Sequence, residues 1–191
     1  ITSVIPKGIT AEVTGTAFLA LRTNNYLVKN LLGSFLVALI IITFLMIVLF
    51  RSVKMAFISI LPNIIPMMVM AAVLGFLQIP LRPATAMTFA VAFGIAVDDS
   101  IHILSRYKIY QSYSNDRYIA LRDSFVQSGK AILITTFIIS AGFMALMFSD
   151  FKSIAQTGLF VSLCLLFALI LDLLLLPAIL IKVFRIKRSN P

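Results

Sequence analysis

Two adjacent carboxylates and the only histidine of the chain lie within Gly94-Ile95-Ala96-Val97-Asp98-Asp99-Ser100-Ile101-His102, inside an otherwise apolar run. A carboxylate near the centre of a helix in lipid costs about 2.5–3.5 kcal/mol on insertion scales. Two in succession must face a bundle interior or a hydrated cavity. Adjacent carboxylates titrate as a pair rather than singly. A buried carboxyl that gains and loses a proton, with water reaching it from alternate sides, is what a proton relay needs. Asp98 and Asp99 are therefore the expected proton-coupling residues.

The element that must position them is a membrane-spanning helix. Successive helical positions differ by about 100°. Asp98 then shares a stripe with Gly94, Ile101 and His102, while Asp99 points toward the side of Ile95, Ala96 and Ile103. The pair is expected to face two neighbouring helices. Gly94, Ala92 and Ala96 are small enough for backbones to approach closely, and Gly142 is a second candidate packing glycine. By polarity alone, the candidate relay partners are His102, Thr135, Thr136, Ser140 and Asp172. Competing readings stand beside these. The Asp pair also suits a purely structural hydrogen-bonding role. His102 suits a helix end at the interface, and Asp172 suits either an interior site or an interface anchor. Asp98 and His102 at i, i+4 lack a third ligand, so no metal site and no cofactor are expected.

Composition sets the class. Of the 191 residues, 61% are hydrophobic and 12% charged, against roughly 45–50% apolar and about 25% charged in soluble domains. This is the composition of an all-α integral membrane protein, with no room for a sizeable soluble domain. The net charge of +9 reads as topological, because Lys and Arg collect in cytoplasmic loops; no nucleic-acid partner is expected. The single cysteine, Cys164, excludes an intrachain disulfide. The chain begins at Ile1 without a leader pattern, and a piece of a longer polypeptide is expected.

In chain order, residues 1–30 alternate in a β-like way (Ile9, Ala11, Val13 against Thr10, Glu12, Thr14) and then turn weakly amphipathic from Thr16 to Asn30. They are expected to be the remnant of an external, periplasmic domain and its linker. Five spans are expected at about 31–50, 55–77, 84–104, 131–148 and 154–181, forming a transmembrane domain over 31–183. Each is close to the roughly 20 apolar residues that cross a hydrocarbon core of about 30 Å. The second holds Pro62, Asn63 and Pro66; Asn63 is a candidate interior polar group beside two helix kinks. Between the third and fourth spans, Ser114-Asn115-Asp116 resembles a helix start and Gly129 a stop. An interfacial amphipathic helix is expected at 115–128. Residues 184–191 form a basic tail.

Orientation follows from the basic residues. Arg51, Lys54, the run from Arg106 to Lys130, and Lys182 to Arg188 fall on one side; Arg82 and Lys152 fall on the other. The first group is expected in the cytoplasm, with the C-terminus. Counting from Ala84, Asp98 lies about 21 Å into the membrane, past the midplane toward that side.

The stretch from Gly94 to Leu104 resembles the glycine–aspartate motif of the resistance–nodulation–division (RND) superfamily. It is most similar to the MMPL-like and Patched/Dispatched-like branches, which carry GxxxD or GxxxDD. Thr135-Thr136, Gly142-Phe143, Ser149, Gly158 and the closing Asp172-Leu173-Leu174-Leu175-Leu176-Pro177-Ala178 resemble the spans that follow in that family. Val13-Thr14-Gly15 resembles the last strand of its external domain. The resemblance covers about residues 10–183. It implies an RND-type half-bundle, the C-terminal membrane half of a secondary active transporter rather than an enzyme. It further implies a proton-motive-force-driven exporter of lipids or other hydrophobic molecules in the cell inner membrane, with Asp98 and Asp99 as its coupling site. The implied partners are membrane lipids, the other RND half, the hydrophobic substrate and further copies of the chain. One departure is that no lysine or arginine lies mid-span, where many drug pumps of the superfamily pair their aspartates with a lysine. Two other readings fit the same architecture: a sterol-sensing-type lipid-binding module and a protein-export accessory subunit. No His-Glu-x-x-His or Gly-x-Gly-Asp pattern supports an intramembrane hydrolase.

Overall fold

The structure, a computed structural model, describes residues 15–113 and 116–184. Residues 1–14 of the external remnant and linker expected at 1–30, the Ser114-Asn115 part of the helix start, and all of the basic tail except Phe184 lie outside the described residues. The described residues form five long helices: α1 Thr16–Phe50, α2 Val53–Phe76, α3 Pro83–Tyr113, α4 Arg117–Ala145 and α5 Lys152–Val183. A single 3-10 turn, Leu146–Phe148, follows α4. All five helices are long and apolar enough to cross a membrane, and the chain is an all-helical membrane protein.

The ends of the helices follow local chemistry. Ser52 caps α2 by accepting a 3.4 Å bond from the Met55 amide. Pro83 opens α3, where its missing N–H costs nothing and its fixed φ suits the first turn. Asp116 caps α4, accepting from the amides of Tyr118 and Ile119 at 2.8 and 3.4 Å. At the far end of α1, Lys108 Nζ donates to the carbonyls of Leu49 and Phe50 at 3.2 and 3.1 Å. That places a cation on the negative end of the helix dipole and brings the basic stretch of α3 to the Arg51 end of the bundle.

Two expectations about α4 are corrected. Residues 115–128 are not a separate helix, and Gly129 is not a stop: α4 runs unbroken from Arg117 to Ala145. Its first half buries Ala120, Leu121, Ser124 and Ser128, a stripe at helical spacing that belongs to the bundle core. Gly129 is buried as well, and a Cβ there would sit 3.5 Å from Leu173 of α5. A helical glycine costs only about 1 kcal/mol against alanine, so packing on α5 carries the helix through it. α1 and α3 likewise run past the expected span ends, to Thr16 and Tyr113. At 1.5 Å per residue α3 is about 46 Å long, longer than the hydrocarbon core is thick.

Among the described residues, α3 contacts all four other helices; α5 packs on α2, α3 and α4, while α1 touches only α2 and α3. Close packing on α3 comes from Ala92 and Ala96, both fully buried. Phe93 is also buried and meets Phe35 of α1 edge to face at 5.3 Å. Gly94 and Gly142 do not take the expected packing role within this chain. Both face outward, and no heavy atom outside their own helical turns lies within 4 Å of a Cβ built there. The glycine that does allow close approach is Gly158, where a Cβ would lie 2.4 Å from the Phe143 carbonyl oxygen and 2.7 Å from Leu146 Cβ.

Candidate intramembrane carboxylate site

The two adjacent carboxylates part company on α3. Asp99 is buried, 8% exposed, and its Oδ2 accepts a 3.1 Å bond from Thr136 Oγ1 of α4. The Asp98 side chain is 67% exposed and His102 is 69% exposed, with Nε2 3.7 Å from Asp98 Oδ1. The i, i+4 stripe Gly94–Asp98–His102 thus lies on a face that the other four helices leave open. Among the described residues no Lys or Arg forms an ion pair with Asp98, Asp99 or Asp172.

Two cavities meet at Asp98. One, about 370 Å³, opens between α3 and α4 and is lined by Asp98, Asp99, His102, Arg106, Ser128 and Thr135, with Ile95, Ala131, Ile132 and Ile139 as apolar walls. The other, about 460 Å³, opens between α1 and α3. Apart from Asp98 it is lined by apolar side chains and Gly94. Asp98 therefore borders a polar cleft on one side and an apolar groove on the other. The polar cleft runs along α3 from Asp99 to Arg106, two turns nearer the basic end of the bundle. There Gln127 Oε1 accepts from Arg106 Nη1 at 2.9 Å and from Tyr110 Oη, tying α3 to α4.

A second polar cluster sits on the opposite side of α3. Asn63 Nδ2 donates to the Ser59 carbonyl at 2.8 Å and to Ser100 Oγ at 2.9 Å. Ser100 Oγ donates to Asp172 Oδ1 at 2.7 Å. Asn63, Ser100 and Asp172 are all fully buried. Adjacent positions on α3 thus serve two interfaces: Asp99 bonds α4, and Ser100 bonds α2 and α5.

The expected relay partners separate accordingly. Thr136 is bonded to Asp99. Thr135 lines the polar cleft but donates to carbonyls of its own helix, Ala131 and Ile132, at 3.1 Å each. Ser140 is buried without a hydrogen-bond partner. His102 contacts Asp98, and Asp172 lies in the interior, not at an interface. Ser100 was missing from the expected set. Its signal was its register: it follows Ala96 by four residues and Phe93 by seven, on the stripe that α3 buries.

With this geometry in place, the relatives of the chain bear on it. A sequence profile of the MMPL family matches residues 1–189, and the chain belongs to the MMPL family, a family of membrane transporters. It is similar to MJ1562 of Methanocaldococcus jannaschii, a protein named as a membrane protein, with 27% identity over 92% of this chain and 45% of that one. It is also similar to YdgH of Bacillus subtilis, likewise named as a membrane protein, with 28% identity over 78% of this chain and 17% of YdgH. The chain spans less than half the length of either relative.

Proposed function

We propose that the chain is a membrane half of a proton-driven MMPL transporter, and that Asp98 and Asp99 are its proton-coupling site. The observation that carries this is Asp99 itself. It is a buried carboxyl on the central helix, held by a neutral hydroxyl and not by a cation, beside a polar cleft that also reaches the exposed Asp98. A carboxyl so placed changes charge without breaking an ion pair. Its protonation state then acts on the α3–α4 contact through Thr136.

The exposed stripe of Asp98 and His102 fits the same account. Charged groups within a membrane face a bundle interior or a water-filled cavity, so a second helical unit is expected to cover this face. The other half of the transporter is that unit, in keeping with sites at the interface of two repeats. The cargo is a lipid or another hydrophobic molecule, exported across the inner membrane, and the C-terminus is cytoplasmic. The cluster of Arg51, Lys54, Arg106 and Lys108 at one end of the bundle supports that orientation.

The test is transport by the full-length protein carrying Asp98→Asn, Asp99→Asn or both. Loss of transport at unchanged membrane abundance is expected for each, and wild-type transport in all three would refute the proposal. A second reading is a lipid-binding module of the sterol-sensing kind. The apolar groove of about 460 Å³ between α1 and α3 favours it, and lipid binding that ignores both pH and the Asp98 and Asp99 substitutions would select it.

A further inference from the structure

From the cluster on the far side of α3, we infer a second, occluded site for a small monovalent cation, held by Asp172 and Asn63 and separate from Asp98 and Asp99. The inference goes beyond the coupling site and does not depend on it. Both N–H groups of the Asn63 amide are committed, to the Ser59 carbonyl and to Ser100 Oγ. The Ser100 hydroxyl is committed to Asp172 Oδ1. What remains is acceptor: Asp172 Oδ2 and Asn63 Oδ1 are both buried and both lack a hydrogen-bond partner. Ser59 Oγ, one helical turn before Asn63, is a third buried oxygen without a partner.

Buried acceptors with nothing to accept from are costly, and a buried carboxylate without a counter-charge is more so. Among the described residues no side-chain cation meets this one. Of the helices packed on α5, α2 brings the neutral Asn63 and Ser59. α3 brings Ser100 and, at the position before it, a like charge, Asp99. α4 brings Thr136, behind Asp99 and bonded to it. The donor set is therefore all oxygen, with one formal negative charge at its centre. That chemistry takes a proton on Asp172 Oδ2, or a dehydrated sodium ion at the buried oxygens that Asp172 and Asn63 leave without a partner. Because Asp99 and Ser100 are adjacent on α3, filling the inner site removes a charge that repels Asp99. The two sites then sense each other without sharing a ligand.

The experiment uses the purified full-length protein in nanodiscs. Infrared difference spectra between acidic and alkaline buffer read the carboxylic-acid band, and thermal unfolding at alkaline pH is compared in sodium and in choline. A proton site predicts a component of the acid band that is lost in Asp172→Asn and retained in the Asp98→Asn/Asp99→Asn double variant. A sodium site predicts a sodium-specific rise in Tm with the same dependence. The double variant keeps this readout apart from the coupling-site proposal. Ser100→Ala, which leaves the carboxyl in place, is expected to move the acid band or to weaken apparent sodium affinity several-fold. It decides the matter if Asp172→Asn does not accumulate. An acid band and a Tm that are both unaffected by Asp172→Asn, or by Ser100→Ala where that variant stands in, would overturn the inference.

Discussion

The hydroxyl of Thr136 donates to Asp99 Oδ2 across 3.1 Å, between the central helix and α4. Both residues are buried. Thr136→Val keeps the shape and removes the donor, leaving a buried carboxyl without its partner, at a cost of about 1–3 kcal/mol. Transport by the full-length protein is expected to fall sharply and its pH dependence to shift, while Thr136→Ser restores both. A Val variant with the wild-type pH profile would show that this bond does not matter to coupling.

Much of this site was legible in the sequence. Charge inside an apolar run marked α3 as the helix that carries the carboxylates, and the 100° step put Asp98 and Asp99 on different faces. Which carboxylate is buried was not legible, because it depends on where α4 brings Thr136. Ser100 escaped notice because a serine in a membrane helix so often bonds its own backbone; here it bridges Asn63 and Asp172. The glycines misled for a related reason. A small residue permits close approach, but only the packing of α5 on the end of α4 decides that Gly158, and not Gly94 or Gly142, is where it happens. The unbroken α4 was hidden by a similar local signal, since Gly129 reads as a stop until Leu173 is seen against it.

Gly158 gives a stability prediction. A Cβ there meets a backbone carbonyl, Phe143 O, at 2.4 Å, and backbone cannot swing aside as a flexible side chain can. Gly158→Ala should lower stability by about 1–3 kcal/mol, the usual range for overpacking. Gly142→Ala, which meets nothing within 4 Å, should be neutral or slightly stabilising through helix propensity. Thermal unfolding of the two variants side by side reads the difference, and equal Tm values would contradict the close α4–α5 approach.

The polar cleft predicts water access. Thr135 lines it and is exposed, whereas the native Cys164 is 2% exposed. A membrane-impermeant thiol reagent is expected to label Thr135→Cys beyond the level of the otherwise identical parent protein, to which Cys164 adds nothing. Asp98→Asn is expected to leave that labelling intact, since it removes charge without closing the cleft. An unreactive Thr135→Cys would mean that the space between α3 and α4 is not hydrated.

The central claim is that protonation of the Asp98–Asp99 pair couples this bundle to the proton gradient. Proton flux into proteoliposomes that hold the full-length transporter, followed with an entrapped pH-sensitive dye under an imposed gradient, tests it most directly. The account predicts a cargo-dependent flux in the wild type that disappears in Asp99→Asn. A flux of wild-type size in Asp99→Asn and in the Asp98→Asn/Asp99→Asn double variant would contradict it.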